Sequence, residues 1–304
     1  MANLISTLEA LEIGKITENE PLKNHTTWKI GGPAKIFFEP SSVTNLKKGI
    51  EQIVNSKSPW FVIGRGSNLL ISDEGIDGVV IKLNENIADL EQEGETIKVG
   101  AGYSLIKLAT IMSKKGFSGL EFAGGIPGSV GGAVFMNAGA HGSDISQILV
   151  KCNILLPDGT FKWFTKEEME FSYRTSRLQQ KEKGICVEAV FQLRKGDKEK
   201  ITKEMQKNKD YRRETQPWNY PCCGSVFRNP LPNHAGKLIE EAGLKGFSIG
   251  DAQVSTIHAN FIVNKGNATA QNVLDLIDHI QQTIYDKYNV KMEPEVELVG
   301  ETSL

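Results

Sequence analysis

Apolar residues along the chain recur at two periods, and stretches of the two kinds alternate. Val43, Leu46, Ile50 and Val54 share one face at helical spacing. So do Leu105, Leu108 and Met112, which follow Ser104 as a cap and stop at Gly116. Leu238, Ile239 and Ala242 predict a short third helix closed by Gly243, and Val273, Leu276, Ile277, Ile280 and Ile284 predict a longer fourth after Thr269. Short apolar runs at 60–63, 79–83, 97–99, 148–156, 185–193, 261–263 and 296–299 read as strands. Helices with one apolar stripe interleaved with such strands are expected to lie on sheets, which gives an α+β fold. The stretch 198–214 holds many Lys and Glu and few apolar residues, so it reads as a solvated helical connector. The domain boundary is placed just before it, near Gly196, separating residues 1–195 from 196–304.

Composition narrows the function. A chain of 304 residues is longer than one core usually serves, so two domains or one elaborated domain are expected. The net charge is -2 with both signs interspersed, leaving no basic stripe to neutralise a phosphate backbone, so nucleic acid is not an expected partner. Residues 1–14 lack the basic start and apolar run of a secretion signal, and no segment reaches membrane-spanning length. A cytoplasmic protein that does not enter a membrane is therefore expected. Cys152, Cys186, Cys222 and Cys223 form no CxxC pair, and the histidines stand at no metal-ligand spacing around them. Neither a metal nor a disulfide is expected, and the adjacent Cys222 and Cys223 read as reduced thiols in a turn.

Two glycine-rich loops carry the first functional signal. The apolar strand Trp60-Phe61-Val62-Ile63 runs into Gly64-Arg65-Gly66-Ser67-Asn68, and Leu69-Leu70-Ile71 follows. Glycines at a strand end let backbone N–H groups face an anion, with Ser67 and Asn68 adding side-chain donors. A tight turn explains the same residues equally well, and the strand-like continuation excludes a dinucleotide fingerprint of the GxGxxG kind. The second loop is more pointed: from Gly124 to Gly142 there are seven glycines, at 124, 125, 128, 131, 132, 139 and 142. So many forfeit much backbone entropy, which makes sense where main chain packs closely on a flat or charged ligand. The interspersed Ile126, Val130, Val134, Phe135 and Met136 set it apart from a flexible linker.

Ordered blocks then become recognisable. Asn24-His25-Thr26-Thr27-Trp28-Lys29-Ile30-Gly31-Gly32-Pro33-Ala34, Ile63-Gly64-Arg65-Gly66-Ser67-Asn68-Leu69-Leu70 and Gly124-Gly125-Ile126-Pro127-Gly128-Ser129-Val130-Gly131-Gly132 resemble the cofactor half of the MurB family, the UDP-N-acetylenolpyruvylglucosamine reductases. Phe171-Ser172-Tyr173-Arg174, Gly224-Ser225-Val226-Phe227-Arg228-Asn229-Pro230, Ala235-Gly236-Lys237-Leu238-Ile239 and Glu293-Pro294-Glu295-Val296 resemble that family's catalytic blocks. The resemblance runs from about 24 to 300. Gly224 lies 50 positions after Arg174 (224 minus 174), which is similar to the shorter type of the family, without the lid insertion.

The resemblance implies a FAD-binding fold of the vanillyl-alcohol-oxidase type in 1–195, made of two α+β subdomains. A C-terminal α+β substrate-binding domain in 196–304, whose last strand carries Glu295, would follow. It also implies non-covalent FAD, NADPH as co-substrate, and UDP-N-acetylglucosamine enolpyruvate reduced to UDP-N-acetylmuramate for peptidoglycan precursors. A monomer is expected. Gly64, Arg65, Gly66, Ser67, Asn68, Gly124, Gly125, Ile126, Pro127, Gly128, Ser129, Gly131 and Gly132 would bind the cofactor, with Thr26 and Gly31 as further contacts, while Arg213 reaches either the FAD or nothing. Tyr173, Arg228, Asn229, Lys237 and His258 would bind the UDP-sugar, although His258 reads equally well as a satisfied structural histidine.

Three residues would carry the chemistry. Hydride added to an alkene conjugated with a carboxylate builds negative charge on that carboxylate, which calls for a fixed cation such as Arg174. Glu295 serves if it is protonated or works through water, since a bare carboxylate would repel the developing charge. Ser225 would deliver the proton to the α-carbon. In isolation Arg174 reads as a surface arginine, Ser225 as a turn hydroxyl and Glu295 as one of several C-terminal glutamates; the family resemblance selects them. Two other readings are an FAD-linked oxidase of the same fold and a non-enzymatic nucleotide-binding module.

Overall fold

The computed structural model describes residues 2–300, which fall into two compact units: 2–18 with 36–65 and 78–211, and 19–35 with 66–77 and 212–300. The second unit thus gathers two N-terminal segments around the C-terminal third of the chain. Position 196, where the sequence placed a boundary, directly precedes the helix Lys198–Thr215, which belongs to the first unit through Tyr211.

The first unit is built on a five-stranded antiparallel sheet in the order Phe161–Thr165, Leu149–Leu155, Ile185–Gln192, Thr96–Gly100, Leu90–Glu93. A second sheet pairs Trp60–Ile63 in parallel with Ile76–Lys82, placing Ile63 opposite Lys82. The helices Val43–Asn55 and Leu105–Lys114 form where periodicity placed them, each started by a serine hydroxyl that accepts an N–H of the first turn, Ser42 from Asn45 and Ser104 from Lys107. Their buried faces join the strands in one core with Ile36, Phe38, Val99, Phe164 and Phe191. The helix Lys198–Thr215 is more than a solvated connector. Ile201, Met205 and Asn208, spaced along one face, are buried, and Asn208 donates from Nδ2 to the Glu121 carbonyl at 3.1 Å. Three inward residues among many charges are too few for periodicity to flag.

The second unit holds a three-stranded antiparallel sheet, Ser248–Ile249, Ala252–Val254 and Ile262–Asn264, packed with the helix Ala270–Tyr288. Thr269 starts that helix with a reciprocal capping box to Asn272. Glu297–Val299 pairs in parallel with Leu69–Ile71, so the C-terminal strand aligns with the segment just after Asn68. Trp28 is wholly buried in this core and donates from Nε1 to the Ile262 carbonyl at 2.8 Å. Truncating a side chain of that size typically costs about 3–5 kcal/mol, so the block around Trp28 is first a structural anchor of this unit.

Candidate active site

The first loop is divided by the fold: Gly64 and Arg65 belong to the first unit, Gly66, Ser67 and Asn68 to the second. In the first unit, a Cβ on Gly64 would stand 2.3 Å from Ser129 Oγ, so the two glycine loops meet where only glycine fits. Lys82 donates from Nζ to the Gly64 carbonyl. Burial, then the charge of Arg65, lower the Lys82 pKa to about 8. In the second unit, Gly66 (φ +63) carries Thr27 on its carbonyl, and a Cβ there would strike the His25 carbonyl oxygen at 2.1 Å. Thr26 is buried, its hydroxyl donating to the Ile30 carbonyl at 2.8 Å, and Gly31 (φ +134) packs against Ile71.

The second loop contains structure that glycine counting hid. Glu121–Gly125 is a 3-10 turn and Val130–Met136 a short helix whose N-cap, Ser129, accepts from Gly132. The N–H groups of Ile126, Val130 and Gly131 donate to the carbonyls of Ala123, Tyr103 and Ala101, and the Gly128 carbonyl accepts from Leu105. A Cβ on Gly131 would lie 2.8 Å from the Ala101 Cβ, and one on Gly124 would lie 2.7 Å from Met205 Cγ. Its glycines therefore act chiefly through close main-chain approach, with several N–H groups already used inside the fold. Glycine turns that a Cβ would fill, beside an exposed Arg65 and an ammonium at Lys82, are a donor set that fits a dinucleotide diphosphate.

Arg174 sits in the left-handed region at φ 56, a conformation that a non-glycine residue holds only under constraint. The constraint comes from polar side chains that the sequence did not single out. Asn137, buried and itself at φ 44, donates from Nδ2 to the Ser172 carbonyl at 2.9 Å and accepts on Oδ1 from Ser146 N–H at 3.0 Å. Ser176 and Gln179 both donate to the Phe135 carbonyl, at 2.6 and 2.7 Å. The guanidinium donates from Nη2 to the Gly139 carbonyl at 2.7 Å and lies 5.1 Å from the ring centre of the exposed Tyr173. Arg174 is thus presented from the end of the second glycine loop.

In the second unit, Ser225 and Glu295 come from segments that cross at a Phe227–Pro294 bridge. Glu295 N–H donates to the Val226 carbonyl at 2.7 Å, and Arg228 N–H donates to the Glu293 carbonyl at 2.9 Å. Asn260, buried, clamps the bridge: its Oδ1 accepts from Phe227 N–H at 3.0 Å and its Nδ2 donates to the Phe227 carbonyl at 2.8 Å. Asn68 reaches the same place, donating from Nδ2 to the Glu295 carbonyl at 3.0 Å while its own carbonyl accepts from Glu297. Glu295 is half-buried and Glu293 exposed, which separates the two carboxylates the sequence had to choose between. Burial, Cys222 and then the neighbouring Glu295 hold the Cys223 thiol far above its ordinary pKa, so it stays neutral. Desolvation also pushes up the carboxyl of Glu297.

The residues proposed for the UDP-sugar are less uniform. Asn229 accepts on Oδ1 from the first residue of the helix Ala235–Glu241, and Lys237 is exposed beside Glu241 at 3.7 Å. His258 Nδ1 accepts from Asn260 N–H at 3.2 Å, and burial, then Lys245, lower its pKa, so this ring is a neutral acceptor in the Asn260 turn. Arg228 is half-buried beside the Phe227–Pro294 bridge.

Family models match both parts of the chain: "FAD binding domain" over 34–165 and "UDP-N-acetylenolpyruvoylglucosamine reductase, C-terminal domain" over 216–299. A UDP-N-acetylenolpyruvoylglucosamine reductase from Halalkalibacterium halodurans is 62% identical over 99% of this chain and 100% of its own length. The chain belongs to this reductase family. The Bacillus subtilis enzyme of the same name is 61% identical over 99% of each chain. The crystal structure of the Thermus caldophilus reductase aligns with a TM-score of 0.81 at 35% identity, over 94% of this chain and 99% of that one. A glucooligosaccharide oxidase from Acremonium strictum aligns at TM-score 0.50 and 12% identity, over 96% of this chain and 60% of that one, which shows the oxidase-type fold alone.

Proposed function

We propose that this chain performs the reaction of its reductase family: NADPH-dependent, FAD-mediated reduction of UDP-N-acetylglucosamine enolpyruvate to UDP-N-acetylmuramate, in peptidoglycan precursor synthesis. The observation that carries the residue assignment is the crossing at Phe227 and Pro294, which brings the segments of Ser225 and Glu295 together. FAD, when bound, supplies two-electron hydride chemistry between NADPH and the enolpyruvyl ether. The two glycine loops, 64–68 and 124–132, would hold it without a covalent bond, and Arg65 would supply a cation for its diphosphate. Arg174 binds the substrate carboxylate and stabilises the charge that grows there, because its guanidinium stays charged at any working pH. Glu295 hydrogen-bonds the same centre as a protonated acid or through a water. Ser225 Oγ gives its proton to the α-carbon; serine is a weak acid, but an enediolate is a very strong base.

Tyr173, Arg228, Asn229, Lys237 and His258 are proposed to bind the UDP-sugar, largely from 196–304, while 1–195 holds most of the cofactor. One chain carries all three catalytic side chains, so the reading requires no second copy. NADPH and nucleotide sugars are soluble metabolites of the cytoplasm, which supports a cytoplasmic location. Among the described residues no helix is long and apolar enough to cross a membrane. The test is direct: the purified protein is expected to be yellow, to release all its flavin as FAD on acid or heat treatment, and to bleach with NADPH under nitrogen. Flavin retained on the denatured chain, FMN in place of FAD, or no bleaching would contradict the assignment.

A further inference from the structure

Lys82 is a cation beside the proposed diphosphate site to which the reaction steps assigned above give no part. It ends the strand Ile76–Lys82 opposite Ile63, is half-buried, and directs its ammonium onto the Gly64 carbonyl oxygen. The Gly64–Arg65 peptide is planar and trans, so its C=O and its N–H point in opposite directions. Fixing the carbonyl on Lys82 therefore fixes the Arg65 N–H on the other side. If the peptide turned over, a carbonyl oxygen would replace an N–H donor on that face and repel an anion.

We propose that Lys82 is a positioning residue for the cofactor: by holding the Gly64 carbonyl it aims the Arg65 N–H at the FAD diphosphate. This rests on the FAD reading above. The charged groups around Lys82 agree with the role. Arg65 lies on the same turn, and Glu39 on the neighbouring strand offsets part of the positive charge while also meeting Lys15 at 3.7 Å and accepting from Asn84 at 3.3 Å. Burial, reinforced by Arg65, leaves the Lys82 pKa at about 8, so its charge is present at neutral pH and lost just above it. A diphosphate nearby favours the ammonium, so binding it takes up a proton where Lys82 is partly neutral.

The experiment titrates flavin-stripped protein with FAD and, separately, with riboflavin, which has the same ring but no phosphate, from about pH 6.5 to about pH 9.5. Wild-type affinity for FAD should fall as pH rises past about 8, by up to about tenfold per pH unit. Riboflavin affinity should not follow, because ionisation of the ring is common to both ligands. Lys82→Met should bind FAD about 10- to 100-fold more weakly at pH 7, the usual range for losing a hydrogen bond to a charged group. Its FAD affinity should no longer change near pH 8, and riboflavin binding should be unaltered. Unchanged FAD affinity in Lys82→Met, or equal loss of riboflavin, would overturn the positioning role. Should that variant fail to fold, a wild-type FAD profile that is flat or identical to riboflavin's overturns it alone. A wild-type protein that takes up no FAD at any pH would instead overturn the functional reading itself, and this proposal with it.

Discussion

Asn137 in the first unit and Asn260 in the second are both buried, and both turn their amides on main chain beside a proposed catalytic residue. Asn137 sits in a left-handed conformation and ties together separate stretches, the end of the second glycine loop, Ser146 and the Ser172 turn that presents Arg174. Asn260 does something narrower. It takes both the N–H and the carbonyl of Phe227, as a neighbouring strand would, next to a bridge that main-chain bonds already support. The first unit thus positions the Arg174 charge with a web of polar side chains, and the second positions the proposed proton donor Ser225 and the Glu295 carboxyl with crossed backbone. Both arrangements leave the side chain proposed for the chemistry partly exposed, because the ordering is done by other residues.

That contrast can be broken at the chemistry first. Ser225→Ala should leave the NADPH half-reaction nearly intact and slow the later step by about 10²- to 10⁴-fold, the usual worth of a general acid. Stopped-flow traces of each half-reaction would show it, and equal slowing of both would remove Ser225 from the mechanism. Arg174→Ala or Glu295→Gln should slow product formation by roughly a hundredfold or more with flavin content unchanged. Loss of flavin in step with activity would make these residues structural.

The supports should show a smaller and unequal effect. Asn137→Ala orphans partners on two segments and places alanine at a left-handed position, so it should cost about 2–4 kcal/mol of stability in denaturant unfolding. Asn260→Ala orphans the two polar groups of Phe227 but keeps the Val226–Asn260 main-chain bond, so about 1–3 kcal/mol is expected. Equal losses would mean that the two clamps are equivalent and that the two units position their side chains alike.

Sequence alone revealed elements whose reason is local. The four amphipathic helices were readable because an apolar stripe and a cap lie within one stretch, as at Ser104 with Leu105, Leu108 and Met112. Strands such as Gly14–Pro21 and Leu90–Glu93 escaped notice, since their residues are largely polar and half-exposed and give no clean alternation. The joining of 19–35 and 66–77 to the C-terminal unit is a long-range fact that no local pattern encodes. The residues proposed for catalysis were selected through the family blocks. Asn137, Asn260 and Lys82 were not, because a lone polar residue in a sequence does not disclose which backbone group it will meet. Asn68 was singled out as a cofactor donor, and its hold on the Glu295 carbonyl became visible only in the fold.

The account stands most directly on one mixing experiment. Protein whose flavin has been fully reduced by NADPH, and freed of excess nucleotide under nitrogen, is mixed with UDP-N-acetylglucosamine enolpyruvate while flavin absorbance and products are followed. Full return of the oxidised flavin spectrum, with one UDP-N-acetylmuramate formed per flavin, is the predicted result. Flavin that stays reduced with the enolpyruvyl sugar and reoxidises only when air is admitted would contradict the account, and would mark the chain as an oxidase on the same fold.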